Sequence, residues 1–175
     1  MIPPIKIKKL YPDTKIPMRA NPSDSGLDVY VHHFEKVYSK KHDLHLEREE
    51  PFTHEFNEGS MPISLVLKTN DRVLINTGIS ATVGVGYEIQ VRSRSGNALK
   101  RGLIVTNQPG TIDNAYRGHL NVIITNIGHE TQVIEVGEKI AQIVVCPIIL
   151  SEVVEVESLD ETDRGANGFG STGTK

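Results

Sequence analysis

Residues 120–150 read LNVIITNIGHETQVIEVGEKIAQIVVCPIIL and hold three runs rich in β-branched residues, Leu120–Thr125, Gln132–Glu135 and Ile140–Leu150. Short segments that contain glycine, asparagine or glutamate separate these runs. β-Branched side chains favour strands, and runs of this length bounded by turn-forming residues are typical of strands. The stretch therefore predicts three consecutive β-strands.

The same pattern extends over the rest of the chain. Isoleucine and valine number 18 and 17 against 12 leucines and 6 alanines, and the absence of tryptophan predicts a mostly aliphatic core. Only the segment 96–101 has brief helical character. Many short strands at this spacing indicate a sandwich, a jelly roll or a barrel. The further predicted strands are Ile5–Leu10, Leu27–Val31, Ile63–Leu67, Arg72–Asn76, Tyr87–Val91 and Leu103–Thr106.

Length, charge and cysteine content exclude several classes of protein. A chain of 175 residues fits one domain, and a net charge of −3 argues against a general nucleic-acid binder. No apolar run approaches the roughly 18 residues of a membrane span, and the first residues lack the apolar stretch of a secretory signal. The single cysteine, Cys146, excludes an internal disulfide framework and predicts a cytoplasmic protein.

Two segments depart from the strand pattern. Residues 33–61 are polar and highly charged, which predicts a surface insertion in a single domain spanning 1–163. Residues 164–175 are rich in glycine and lack an apolar period, which predicts a mobile C-terminal lid. Five of the seven histidines lie between His32 and His54, a set that fits solvated surface residues better than a zinc site.

Three segments carry groups able to do chemistry. The tail combines Arg164, Phe169, hydroxyls and glycines, a composition that suits phosphate binding and equally suits a disordered terminus. The segment Arg92–Gly96 follows a predicted strand. It either presents its backbone amides to an anion or forms a charged turn. Asp113 lies between apolar residues before a turn. It is therefore either a partly buried general base or a turn-forming residue that bonds its own backbone. The residues alone leave these alternatives open.

Taken together, the segments resemble the five motifs of the trimeric all-β dUTP nucleotidohydrolases (dUTPases). The motifs occur in order and cover nearly the whole chain except the insertion. Ser25, Ser93 and Asn97 stand where the family often has alanine, proline and leucine, and these departures remove no group that does chemistry. The matching segments are Ser25–Tyr30, Arg94–Gly96 with Ala98, Asn107 with Gly110–Gly118, Gly137–Gln142 and Arg164–Gly173.

The resemblance implies an all-β, distorted jelly roll or β-barrel that hydrolyses dUTP to dUMP and pyrophosphate, lowering dUTP and supplying dUMP for thymidylate synthesis. Asp113 resembles the carboxylate that activates the attacking water, and Asp28 resembles the residue that holds Mg²⁺ through bound water. The residues implied to contact the phosphates are Arg94, Ser95, Gly96, Gln142, Arg164, Ser171 and Thr172. Those implied to contact deoxyuridine are Asn107, Gly110, Thr111, Ile112, Tyr116 and Phe169.

The resemblance also implies a homotrimer whose sites are shared. One chain supplies the first, second and fourth motifs, another supplies the third, and the last supplies the tail. The related dCTP deaminases carry a glutamate where Ile123 stands here, and an isoleucine cannot move the protons that deamination requires. A regulatory or structural protein on the same fold is the non-enzymatic alternative, although a pure binder has no need of a base such as Asp113. A protein partner for the insertion 33–61 stays an open possibility.

Overall fold

Short antiparallel strands dominate the computed structural model, which describes residues 3–40, 47–50 and 63–168. The prediction of an all-β protein with at most one short helix is confirmed over these residues. The helix is α1 (Ser95–Arg101). The strands are β1 (Lys6–Lys9), β2 (Leu27–Tyr30), β3 (His33–Lys40), β4 (Glu47–Glu50), β5 (Ser64–Leu67), β6 (Arg72–Asn76), β7 (Ile79–Thr82), β8 (Tyr87–Ser93), β9 (Leu103–Val105), β10 (Gly110–Ile112), β11 (Asn121–Asn126), β12 (Gln132–Glu135) and β13 (Lys139–Pro147).

The described strands form four sheets. The larger two have the orders β10-β8-β13-β2 and β4-β3-β6-β11-β9, and the smaller two are the pairs β1-β7 and β12-β5. Strands distant in sequence lie side by side, as when β13 inserts between β2 and β8. These sheets do not join into one closed barrel, so the jelly-roll form of the prediction is the one that fits.

The core is built from alternate residues of the two larger sheets. In β6 the side chains of Val73 and Ile75 are fully buried, and in β8 Ile89 and Val91 are buried while their neighbours are partly exposed. This follows from the two-residue period of a strand, which sends successive side chains to opposite faces. Each such side chain contributes about 1.5–3 kcal/mol on burial. Phe34 is the one aromatic residue among the described buried apolar side chains, so the core is aliphatic as expected.

Helix α1 is held in place at both ends. Asn97 is buried in the helix and donates from Nδ2 to the backbone oxygen of Lys139 over 3.2 Å, which ties α1 to β13. Gly102 ends the helix in the left-handed conformation at a φ of 66°. A Cβ on Gly102 would lie 2.5 Å from the Cα of Gly128, so only glycine fits there.

The segment 33–61 begins inside the sheet, unlike the surface excursion expected from its polarity. His33 to Tyr38 pair with β6, and Phe34 is buried. The strand signal is weak because His33 and Glu35 are polar and because a register shift lies between Phe34 and Lys36. Residues 41–46 and 51–62 lie outside the described residues, so the rest of that interpretation stays a prediction.

Among the described residues, no helix is both long enough and apolar enough to cross a membrane.

Candidate active site

One cleft of about 350 Å³ brings together residues of the first, second and fourth motifs. We call it the phosphate cleft. It forms where the start of β2, the start of α1 and the middle of β13 meet, because β13 is hydrogen-bonded to both β2 and β8. Its walls include five predicted site residues. The full lining is Ala20, Asp24, Ser25, Gly26, Asp28, Arg94, Ser95, Gly96 and Gln142.

Asp28 is a shared anchor for two cations of the phosphate cleft. Its Oδ1 accepts a hydrogen bond from Nε of Arg94 over 2.9 Å, and its Oδ2 lies 2.8 Å from Nζ of Lys139. The side chain of Asp28 is 12% exposed, so this carboxylate is largely shielded from water. Its hydrogen bond and charge raise the pKa of Lys139 above the usual value. The carboxylate therefore fixes the position of the Arg94 guanidinium beside the cleft.

Gln142 is held equally firmly. Its Nε2 donates to the backbone oxygen of Ser93 over 2.9 Å. Gly26 packs directly on the side-chain amide of Gln142, and a Cβ at Gly26 would overlap the Gln142 Oε1. The glycine of the first motif therefore makes room for the glutamine of the fourth.

A second cleft, of about 260 Å³, brings together residues of the third motif. We call it the nucleoside cleft. Asp113 follows β10 directly and lies on its wall, together with four of the residues predicted to contact deoxyuridine. The strand β11 supplies the opposite wall. The full lining is Leu74, Asn107, Thr111, Ile112, Asp113, Tyr116, His119, Asn121 and Ile123.

The turn after β10 sets the orientation of Tyr116. The backbone N–H of Tyr116 donates to the oxygen of Asp113 over 3.0 Å, and its hydroxyl donates to the backbone oxygen of His119 over 3.0 Å. Gly118 lies against the tyrosine ring, and a Cβ there would overlap the Tyr116 hydroxyl. Asp113 is exposed in the single chain rather than partly buried, because it lies at the start of this surface turn.

The two clefts share no lining residue and lie toward opposite ends of β8. Ile112 pairs with Ile89 near the beginning of β8, whereas Arg94 follows the last residue of that strand. The five-residue step from Ile89 to Arg94 spans about 16 Å at the usual rise of a strand. Asp113 and Arg94 of one chain therefore lie far apart.

Five predicted site residues lie outside both clefts or outside the described residues. Gly110 is buried in β10, where a Cβ would lie 3.2 Å from Nδ2 of Asn107. Arg164 is exposed and donates from Nε to the backbone oxygen of Asn167 over 2.9 Å. Phe169, Ser171 and Thr172 lie beyond residue 168, where the description of the chain ends.

Sequence reasoning missed two residues of the nucleoside cleft and one residue that contacts the phosphate cleft through Asp28. Lys139 lies within the fourth motif, and its contact with Asp28 required knowledge of the β2–β13 pairing. His119 and Asn121 directly follow the third motif, and their place on the nucleoside cleft depends on how β11 packs. The proximity of His119 to the motif was the one signal that the sequence offered.

The described residues contain no group of three or more histidine, cysteine, aspartate or glutamate side chains arranged to hold a metal ion. Part of the histidine cluster, including His42, His45 and His54, lies outside them. At Asp28, Arg94 and Lys139 occupy one position on each carboxylate oxygen. A carboxylate offers about four lone-pair positions, so Asp28 retains capacity to accept from a metal-bound water.

Comparison with known proteins agrees with this geometry. The family model for dUTPase matches residues 60–173. A deoxyuridine 5'-triphosphate nucleotidohydrolase of Hydrogenobaculum sp. is 38% identical over 169 residues, which is 97% of this chain and 97% of the relative.

Two solved structures share the fold. A mutant dUTPase of Staphylococcus bacteriophage 80alpha, solved with dUpNHpp, matches with a TM-score of 0.72 at 24% identity, over 97% of this chain and 98% of the other. A mutant dUTPase of phage phi11 of S. aureus, solved with a structural Mg(II) ion, matches with a TM-score of 0.65 at 21% identity, over 90% and 99%. These two structures show the same fold, and the family-model match together with the 38% identity to the Hydrogenobaculum relative shows that the chain belongs to the dUTPase family.

Proposed function

We propose that this protein hydrolyses dUTP to dUMP and pyrophosphate at sites assembled from separate copies of the chain. The observation that carries the proposal is the separation of the two clefts along β8. A general base must lie within hydrogen-bond reach of the water that attacks the phosphate. Asp113 of one chain is too far from Arg94 of the same chain, so the phosphate cleft of one copy meets the nucleoside cleft of another.

The phosphate cleft is suited to a triphosphate. Arg94 presents a guanidinium whose Nε is engaged by Asp28, and a guanidinium binds phosphate oxygens through its remaining N–H groups. Ser95 supplies a hydroxyl, and Gly96 has open space around the position of a Cβ, so a ligand can approach the backbone closely. Gln142 supplies an amide that is already oriented.

Asp113 is the general base of the proposed reaction. It accepts a proton from a water molecule whose oxygen forms a new bond to the α-phosphorus. The bond from that phosphorus to the oxygen bridging to the β-phosphate breaks, and pyrophosphate leaves. An aspartate exposed at the start of a turn suits this role, since an approaching chain can bring a phosphate to it.

Mg²⁺ fits the site as an ion carried mainly by the substrate. When bound, it supplies neutralisation of the triphosphate charge. Asp28 would hold it through water, because its remaining lone pairs can accept from a metal-bound water while its own cations stay in place. The structural Mg(II) of the phage phi11 relative supports a role for this ion in the family at large.

The nucleoside cleft receives the deoxyuridine. Tyr116 lies against the sugar in this proposal, where its fixed ring leaves no room for a 2′-hydroxyl. Asn107 and the backbone between Gly110 and Ile112 contact the uracil edge. Ile123 lines the same cleft and offers no protonatable group, which disfavours deamination at this site.

The C-terminal residues support assembly. Residues 148–160 have no regular secondary structure, and Ile149, Val153 and Leu159 are 91%, 96% and 83% exposed. Apolar side chains exposed along one segment mark an interaction surface. We propose that this segment packs on a neighbouring copy in a homotrimer and delivers residues 164–175 as a lid, with Arg164, Ser171 and Thr172 on the phosphates and Phe169 on the uracil.

The resulting activity would lower dUTP and supply dUMP for thymidylate synthesis. A cytoplasmic location suits a chain whose single cysteine, Cys146, is a free thiol.

The test is pyrophosphate release from dUTP, dCTP, dTTP and UTP, each measured with Mg²⁺ and with a chelator, alongside the mass of the protein by light scattering. We expect turnover of dUTP well above that of the other three, a loss of rate with the chelator, and a trimer mass. Equal turnover of dCTP and dUTP, or a fully active monomer, would contradict the proposal.

A further inference from the structure

Ser93, the last residue of β8, is half-buried and bonds three different parts of the chain through three polar groups. Its backbone N–H donates to Oε1 of Gln108 over 2.7 Å, and its Oγ accepts from the backbone N–H of Val105 over 2.8 Å. Its backbone oxygen accepts from Nε2 of Gln142 over 2.9 Å. Ser93 therefore joins β9, the loop after β9 and β13 at the point where β8 ends.

The bond to Gln108 takes the place of a strand partner. The strand β10 begins at Gly110, which pairs with Val91, so the pairing of β10 with β8 stops two residues before Ser93. Beyond that point the side chain of Gln108 accepts the N–H of Ser93. Gln108 is exposed, and fixing an exposed glutamine costs side-chain entropy without filling the core. The contact therefore serves the end of β8 rather than the packing of the protein.

Two residues of the phosphate cleft depend on where the backbone of Ser93 lies. Its oxygen holds the amide of Gln142, so the direction of that carbonyl sets the orientation of the glutamine. Arg94 follows Ser93 directly, in an extended conformation at a φ of −85° and a ψ of 129°, and precedes the first residue of α1. The bond from Nε of Arg94 to Asp28 thus depends on the direction in which β8 ends.

We propose that the hydrogen bond between Ser93 and Gln108 positions the phosphate cleft. By holding the end of β8, it keeps Arg94 and Gln142 directed at the triphosphate. This inference rests on the proposed function. The alternative is that Gln108 orients Asn107, its neighbour in sequence and a residue of the nucleoside cleft. The two roles differ in which part of the nucleotide loses affinity when the acceptor of Gln108 is removed.

Gln108→Met tests the bond, because methionine keeps the length of this exposed side chain and removes its amide acceptor. We expect the dissociation constant of a non-hydrolysable dUTP analogue, measured by calorimetry, to rise about three- to tenfold, the usual effect of one lost hydrogen bond. Deoxyuridine has no phosphates and should bind as tightly as it does to the wild-type protein. Gln108→Glu keeps an acceptor and should restore most of the affinity for the analogue.

The matched control is Gln132→Met. Gln132 also accepts one hydrogen bond through its side chain, from Nε of Arg101, and it lies outside both clefts. This variant should change the affinity for neither ligand. Equal weakening of the analogue and of deoxyuridine in Gln108→Met would overturn the inference, and so would an unchanged affinity for the analogue.

Ser93→Pro gives a second test, because proline has no N–H to donate. The family often has proline at this position, so the end of β8 suits it. Once proline is present, adding Gln108→Met should cause no further loss of affinity for the analogue, since the glutamine has no donor left to accept from. A second loss of the same size in the double variant would show that Gln108 acts elsewhere.

The NMR signal of the Arg94 Nε–H tests the positioning without any ligand. Its bond to Asp28 should slow its exchange with water in the wild-type protein. Gln108→Met should make this exchange faster and Gln132→Met should not, whereas an unchanged rate in Gln108→Met would refute the inference. If the wild-type protein fails to hydrolyse dUTP, the proposed function fails, while this measurement still decides whether Gln108 positions Arg94.

Discussion

Two inactive variants should restore activity when they share a trimer. Arg94→Ala damages the phosphate cleft and Asp113→Asn removes the proposed base, so each homotrimer alone should be nearly inactive. In a mixed trimer, the intact phosphate cleft of an Asp113→Asn chain meets the intact Asp113 of an Arg94→Ala chain. This rescue is possible only because the two residues that act together come from different copies.

The fraction of activity regained follows from the requirement that the Arg94 and the Asp113 of one site come from different chains. Each site draws its arginine from one chain and its aspartate from another, and in an equal mixture each choice is intact half of the time. Random assembly in a closed three-fold ring therefore makes about a quarter of all sites complete. The expected signal is about a quarter of the wild-type rate.

The assay is pyrophosphate release from dUTP after the two variants are unfolded and refolded together, compared with each variant refolded alone. The matched control pairs Arg94→Ala with Gln142→Ala, which line the same cleft of one chain. That mixture should gain nothing, because no site in it has an intact phosphate cleft. Activity no higher than that of the separate variants would show that Arg94 and Asp113 act within one chain and would refute the reasoning from β8.

Four further outcomes are expected. Asp113→Asn should lower kcat by about 10²–10⁴ while calorimetry shows retained binding of a non-hydrolysable dUTP analogue, and a variant with more than a tenth of the wild-type kcat would exclude Asp113 as the base. Replacing residues 41–62, which include the edge strand β4, by a short Gly-Ser turn should leave kcat within a few-fold and the light-scattering mass unchanged, since β4 pairs only with β3 among the described strands and loops tolerate changes of length; loss of the trimer would place this segment in the interface. Truncation after Asp163 should leave a folded trimer with severely reduced kcat/KM, and full activity after truncation would exclude the lid. In the full chain, amide exchange should show residues 164–175 protected only when nucleotide and Mg²⁺ are present. Burial lowers the pKa of His33 below 6.5, and the hydrogen bond from Asn76 lowers the pKa of Glu35 below 4.5. Below those values the unfolded chain therefore binds more protons than the folded chain. The free energy of unfolding should fall as the pH drops from about 6.5 towards 4, and it should fall less steeply in His33→Gln.

The wild-type slope is the comparison for that last measurement. If urea unfolding gives the same pH dependence for His33→Gln and for the wild-type protein, His33 does not supply the proton uptake.

The sequence by itself determined the class of fold and named the candidate site residues. Short runs of isoleucine and valine between turn-forming residues favour strands, because β-branched side chains suit a pleated sheet and runs of this length are too short for typical helices. The motif residues Asp28, Arg94 and Asp113 are recognisable from their neighbours in the chain. Local patterns of this kind require no knowledge of which strands pair.

The tertiary structure decided what depends on pairing between distant strands. His33 and Asn76 are 43 positions apart in the sequence, yet the register of β3 on β6 sets them opposite each other. The same pairing hid β3 from sequence analysis, since a strand that buries a hydrogen-bonded histidine, His33, and then shifts register lacks an alternating apolar pattern. The position of Asp113 relative to Arg94 was likewise beyond local reasoning, because it depends on the lateral order of strands that the chain reaches only after long connections.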